Sequence, residues 1–338
     1  MKVLIFLFLI NKLFQMMFFL MMLLGIFIVI SSSSWMGMWI GLEINLLAII
    51  PLMNNMKYMQ FSEASFKYFI TQALASSIFL ISVIFLTKFF NMSFLLMFNS
   101  SILLKMGAAP FHFWLPEIME GLNWNLNYLL MTIQKIAPFN MIIMNNSLFF
   151  LLIIIYGMLI SGIMGMNQIS MKKIMAYSSI NHISWMLASL FSLKLIWLYY
   201  FLTYSLINFN LLMIFKKFKI FNLNQLFNIF NQNFLMKLIY LLNFFSLAGL
   251  PPFLGFLPKW LTIQFMVPNF FWLSMIMVIL TLMTIFFYLK FSLPFLLLNF
   301  EKTNFKLNFS KANFFLIYFT NSMSLISLIF LTFLINFL

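Results

Sequence analysis

FFLLIIIYGMLISGIMG, residues 149–165, decides the fold class, because it is apolar on every face. A surface helix of a soluble protein keeps a polar face toward water. A lipid-facing barrel strand alternates apolar and polar residues over about ten positions. This run does neither. A hydrocarbon core of ~30 Å calls for about 20 apolar residues per helix, and similar runs fill the rest of the chain. Of the 338 residues, 64% are hydrophobic and 7% are charged. A soluble domain carries about a quarter charged residues, so a water-facing surface cannot be built from this sequence. The expected class is an all-α polytopic membrane protein with about eleven transmembrane helices.

Composition also removes several kinds of chemistry. There is no cysteine, which excludes disulfides, thiolate metal sites and iron–sulfur ligation by this chain. The two histidines, His112 and His182, are too few for a pair of bis-histidine haems. All 19 basic residues are Lys and all five acids are Glu. Phe, Leu, Ile, Met, Asn and Lys have A/T-heavy codons, and 30 Met fit a code with an extra Met codon. These features point to an AT-rich mitochondrial genome, as in arthropods. The N-terminus shows no transit peptide or small-residue cleavage site and is expected to stay unprocessed. The net charge of +14 reads as loop lysines obeying topology. No soluble basic domain is present to bind nucleic acid.

Working outward from residue 149, apolar runs cover residues 13–31, 35–53, 62–88, 92–114, 124–145, 148–166, 171–192, 195–215, 235–266, 270–292 and 314–337. Residues 1–12 are a short apolar extension. The cluster Ser31 to Ser34 ends the first run and Pro51 closes the second. Polar connections lie at 216–233 and 299–313. No linker separates domains, so the chain reads as a single membrane domain, 1–338, with halves at 13–145 and 146–338. Eleven crossings place Lys2, Lys57, Lys172, Lys173, Lys216, Lys217, Lys219, Lys302, Lys306 and Lys311 on the side of the N-terminus. Only Lys88 and Lys194 fall in loops of the other side. The positive-inside rule then sets the N-terminus inside, in the matrix if the coding is mitochondrial, and the C-terminus in the intermembrane space.

Two runs are interrupted. The fourth breaks at Gly107-Ala-Ala-Pro110 and the ninth at Gly249-Leu-Pro-Pro252, five helices later. Paired Gly/Pro interruptions in two halves point to a transport site near the bilayer midplane.

Charges inside the bilayer are functional candidates, since each costs about 2.5–3.5 kcal/mol or more at the centre. Glu43 lies within WMGMWIGLEINLLAIIPL, Lys105 just before the first break and Lys135 three residues before Pro138. Lys259 follows the second break, His112 follows the first, and His182 lies in AYSSINHISW. Each has a structural alternative. A lysine can snorkel to the headgroups, Glu43 and Lys105 can be a packing ion pair, and a lone histidine can be a hydrogen-bonded core residue. Lys67, Lys88, Glu117 and Glu120 read as boundary residues. Desolvation penalises whichever form of a buried group is charged. Lys, His and Glu in series, bridged by water that broken helices admit, can therefore pass protons. Ser178, Ser179, Asn181 and Thr132 are candidates to hold that water.

WIGLEINLLAIIPL, EASFKYFITQA, LLKMGAAPFHFWLPE, QKIAP, KKIMAYSSINHISWM and LAGLPPFLGFLPKW, in that order, resemble the subunit 2 family of mitochondrial NADH–ubiquinone oxidoreductase, respiratory complex I. They spread over roughly residues 31–260. The resemblance implies an antiporter-like fold with two broken helices in inverted repeats, the first three helices of larger relatives being absent. It implies that Glu43 pairs with Lys105 and that Lys135 is the central relay lysine. Lys259 would be the lysine of the second broken helix, and His112 and His182 would belong to the polar axis. Asn181 departs from the pattern, which has a small apolar residue before the histidine. The resemblance further implies that this chain binds no cofactor. NAD, flavin, iron–sulfur clusters and ubiquinone would be held by other subunits of the complex. Expected partners are a neighbouring antiporter-like subunit, a small membrane subunit, accessory subunits and membrane lipids. The rival readings are a stand-alone cation/proton antiporter and a membrane scaffold without transport.

Overall fold

A computed structural model describes residues 2–54, 59–89, 92–145, 147–223, 225–226, 234–251, 253–297 and 321–322, with the backbone alone at 2–12, 234–236, 291 and 293–297. Apart from a helical pair at Asn321 and Ser322, the run at 314–337 lies outside these residues, as do the stretch 299–313, Pro252 and Lys57. The described elements are helices, with one isolated antiparallel bridge between Ser170 and Asn222. Six of the helices contain segments long and apolar enough to cross a membrane. The all-helical reading holds among the described residues. The chain divides into two compact units, Met1–Phe149 and Phe150–Leu338.

In the first unit, α1 (Lys2–Ser31) runs helical through the residues set apart as an extension. Ser34 then caps α2 (Trp35–Met53), its hydroxyl accepting from the Gly37 N–H at 3.2 Å. Pro51 sits inside the last turn of α2 and does not end it. Gly25 and Gly41 let α1 and α2 touch backbone to backbone. A Cβ on Gly25 would lie 2.8 Å from the Gly41 carbonyl oxygen, and one on Gly41 would lie 2.7 Å from that of Gly25. Without a hydrophobic drive inside lipid, such small-residue contact is how membrane helices gain packing energy. It fixes the stretch of α2 that carries Glu43. Next come α3 (Met59–Phe89), α4 (Met92–Met106) and α5 (Trp114–Gly121). The fourth run is thus two limbs, and the second reaches Gly121, beyond the expected end.

The expected fifth helix is also two, α6 (Trp124–Met131) and α7 (Ile133–Met144). The interruption is at Thr132, at φ −120° and ψ −79°, while Pro138 stays inside α7. The Thr132 hydroxyl and N–H both bond the Tyr128 carbonyl, at 2.7 and 3.1 Å. Back-bonding of this type bends helices.

The second unit holds α8 (Phe149–Met166), α9 (Met171–Ser192) and α10 (Lys194–Phe218). These are followed by α11 (Phe234–Ala248), α12 (Phe256–Met266) and α13 (Phe271–Leu297). Helix α9 is buried on every face from Ile174 to Leu190. Protein, not lipid, surrounds it, which is why it can carry Ser178, Ser179, Asn181, His182 and Ser184 in one stretch.

Candidate functional site

The two Gly/Pro breaks share one local geometry. Gly107 and Gly249 have φ +71° and +80°, in the left-handed region where glycine carries no Cβ penalty. Each is followed by a bond that closes the helix end, from Ala108 N–H to Leu103 O at 3.1 Å and from Leu250 N–H to Phe245 O at 3.2 Å. This is the Schellman ending, and it stops the helix inside the span.

A stopped helix leaves four carbonyls to satisfy. At the end of α11 all four are accounted for. Gly249 and Leu250 N–H groups serve Phe245 and Ser246. The Lys259 ammonium donates to Leu247 O at 3.1 Å and to Ala248 O at 2.7 Å. Lys259 also lies 5.7 Å from the Trp185 ring centroid, within cation–π range. It therefore does not snorkel. Its charge rests on the negative end of the first limb of its own broken helix. At the end of α4 the neutral indole N–H of Trp114 serves Leu104 O at 3.0 Å. Lys105 is in the last turn there, with its charge also near a helix C-terminus.

Lys105, Lys135 and Lys259 are 9%, 2% and 6% exposed. Each adjoins an interruption: Lys105 precedes Gly107, Lys135 follows Thr132 in the first turn of α7, and Lys259 follows the Gly249 break in α12. The sequence showed two of these interruptions. The third carries no glycine or proline at the break itself.

Glu43 and Lys105 do not touch. Among the described residues the ion pairs are Lys67 with Glu63 at 3.0 Å and with Glu117 at 3.1 Å, on the exposed polar edge. The expected Glu43–Lys105 pair is therefore not closed in this structure. Glu43 Oε1 is buried without a hydrogen-bond partner. Beside Lys105 lies a cavity of ≈ 20 Å³ walled by Asn45, Tyr68, Gln72 and Gln134. Gln134 donates to Asn45 Oδ1 at 2.8 Å and accepts from the Tyr68 hydroxyl at 3.4 Å. Sequence reading passed over these amides, although Gln72 and Gln134 stand inside quoted motifs.

His112 sits in the first break, buried, with Nδ1 3.2 Å from Pro110 O. A carbonyl only accepts, so Nδ1 carries the proton in this bond. In the second unit His182 Nδ1 is 2.9 Å from the Tyr200 hydroxyl, and its ring lies tilted at 41° with its centroid 4.8 Å from that of Tyr204. Asn181 and Asn208 are buried with neither amide atom bonded. Ser178, Ser179 and Thr132 donate to carbonyls of their own helices, so their hydroxyl protons are committed. Among the described residues no three His, Cys, Asp or Glu side chains converge as a metal site.

The chain as a whole is similar to known proteins. The family described as "NADH:quinone oxidoreductase/Mrp antiporter, TM" matches residues 32–287. NADH-ubiquinone oxidoreductase chain 2 of Anopheles gambiae is 50% identical over 285 residues, covering 81% of this chain and 84% of the relative. The chain 2 of Aedes aegypti is 48% identical over the same shares. A chain of respiratory complex I from Thermus thermophilus superposes with a TM-score of 0.80 at 22% identity, over 93% of this chain and 78% of that one. The bacterial match supports the antiporter-like membrane fold, and the mosquito matches support the arthropod character read from the codons. The chain belongs to the NADH-ubiquinone oxidoreductase chain 2 family and, with it, to the NADH:quinone oxidoreductase/Mrp antiporter membrane family.

Proposed function

We propose that this chain is a core membrane-arm subunit of NADH:ubiquinone oxidoreductase. It couples electron transfer from NADH to ubiquinone to proton translocation across the mitochondrial inner membrane. The carrying observation is that Lys105, Lys135 and Lys259 are all buried and all stand at helix interruptions. Broken helices expose backbone groups and admit water inside a membrane protein. A buried lysine at such a point is placed to gain and lose a proton.

In this reading Lys135 is the central station, and the gap between Glu43 and Lys105 is the adjustable element. Closing that pair withdraws positive charge from the neighbourhood of Lys135, and opening it restores it. His112 and His182 lie on the polar axis, and Lys259 serves the second broken helix. Moving one charge against 100 mV costs ~2.3 kcal/mol, so the redox reaction must drive the cycle. That reaction runs on NAD, flavin, iron–sulfur clusters and ubiquinone held by other subunits. Eleven spans, in inverted repeats, form a single membrane domain of two halves. The lysine asymmetry sets the N-terminus in the matrix and the C-terminus in the intermembrane space. An antiporter-like subunit and a small membrane subunit are the neighbours.

Native gel electrophoresis of inner membranes in mild detergent, stained for NADH oxidation, tests the assignment. Mass spectrometry should find this chain in the large NADH-active band. Its presence solely in a small band without NADH activity would mean an independent antiporter.

A further inference from the structure

Trp185 is a buried tryptophan whose polar edge has nothing to bond. The residue is 1% exposed, and its indole N–H is buried without a hydrogen-bond partner among the described residues. A buried tryptophan usually finds a partner for that group. Leucine or phenylalanine would fill an apolar space without leaving a donor bare. What tryptophan offers beyond volume is its ring face, which attracts a cation better than that of any other aromatic side chain. The Lys259 ammonium lies 5.7 Å from the centroid of that ring.

The ammonium is free to make this contact. Of its three N–H donors, two meet Leu247 O and Ala248 O, and no oxygen of a described residue takes the third. Glycine leaves room for the lysine: a Cβ on Gly249 would lie 2.7 Å from Lys259 Cδ and 3.0 Å from its Nζ. Helix α9 supplies the indole and packs against α12, which supplies the lysine. His182 stands three residues before Trp185, on the same face of α9. Trp185 thus links the polar stretch of α9 to the second broken helix.

We infer that Trp185 is a positioning residue for Lys259, its ring face holding the charged ammonium on the carbonyls that end α11. The attraction is between a cation and the ring quadrupole, so it acts on the lysine only while the lysine is charged. The seat is made for the protonated form. Removing the ring lets the ammonium leave the carbonyls, and the end of α11 loosens with it. The bearing of this on proton movement rests on the relay reading of Lys259, whereas the positioning does not.

Deuterium exchange of the Gly249 and Leu250 amides in the assembled complex tests the positioning. Trp185→Leu should speed it by about two- to thirtyfold, the span of a cation–π contact. Trp185→Phe keeps a ring face and should stay close to wild type. In a Lys259→Met enzyme, adding Trp185→Leu should change the exchange no further, because the ammonium through which Trp185 acts is gone. Wild-type exchange in Trp185→Leu overturns the inference. So does Trp185→Phe exchanging as fast as Trp185→Leu, or Trp185→Leu keeping its full effect in the Lys259→Met enzyme, since either marks a packing role. Protons moved per NADH oxidised, followed in inner-membrane vesicles, separate this inference from the relay reading. Fast exchange with full pumping in both Trp185→Leu and Lys259→Met keeps the positioning and removes Lys259 from the relay. If Trp185→Leu does not assemble, a map of the wild-type complex decides. An ammonium within about 6 Å of the ring centroid is expected, and one turned away from the ring overturns the inference.

Discussion

Lys259 shows what a buried charge can do for the backbone. Its ammonium meets the two carbonyls that the end of α11 would otherwise leave bare. A methionine of similar length fills the space and offers no donor. Lys259→Met should therefore weaken this helix end by roughly 2–3 kcal/mol, the range for hydrogen bonds to a charged group. Faster deuterium exchange of the Gly249 and Leu250 amides in the assembled enzyme is the measurement, and unchanged exchange would contradict the capping role. The identity of Lys259 as a buried lysine near a break was legible in the sequence. Its carbonyl partners were not, because they lie eleven and twelve residues back and meet it only once the chain returns. Glu43 and Lys105 make the opposite case: the sequence named both, and the structure leaves them unjoined. Asn45, Gln72 and Gln134 were hidden for a third reason. Uncharged amides escape a search for intramembrane charges and stand out only when their partners are known.

At the scale of elements, glycine was a reliable guide to the breaks, whereas Pro51 and Thr132 were not. Gly107 and Gly249 mark both Schellman endings because few other residues adopt their positive φ. The Thr132 interruption depends on a hydroxyl choosing a carbonyl four residues back, which threonine does in many unbroken helices. Pro138 lies within its run and stays inside α7. The contact of α1 with α2 yields a further expectation. Gly41→Leu would drive a side chain into the Gly25 carbonyl and Val29, both 2.7 Å from the nearest Cβ position. Overpacking of this kind costs about 1–3 kcal/mol, and it displaces the part of α2 that holds Glu43. The variant enzyme should show a lower melting temperature and reduced proton pumping at a given rate of NADH oxidation. A melting temperature equal to wild type would show that the two helices have room to separate.

At the scale of the whole molecule, apolar runs identified an all-helical membrane protein, and their breaks located two of the three buried lysine sites. The enclosure of α9 was out of reach, since hydropathy reports composition and not what surrounds a helix. That enclosure explains why the least apolar of the central helices carries His182 and two unbonded asparagines. The proposed account is that proton movement passes through the buried lysines at the broken helices. The direct test is Lys135→Met in the assembled enzyme, with proton uptake or release and NADH oxidation followed in the same inner-membrane vesicles. The account predicts fewer protons moved per NADH oxidised in that variant than in the wild type. Full pumping with full NADH oxidation in that variant would contradict it.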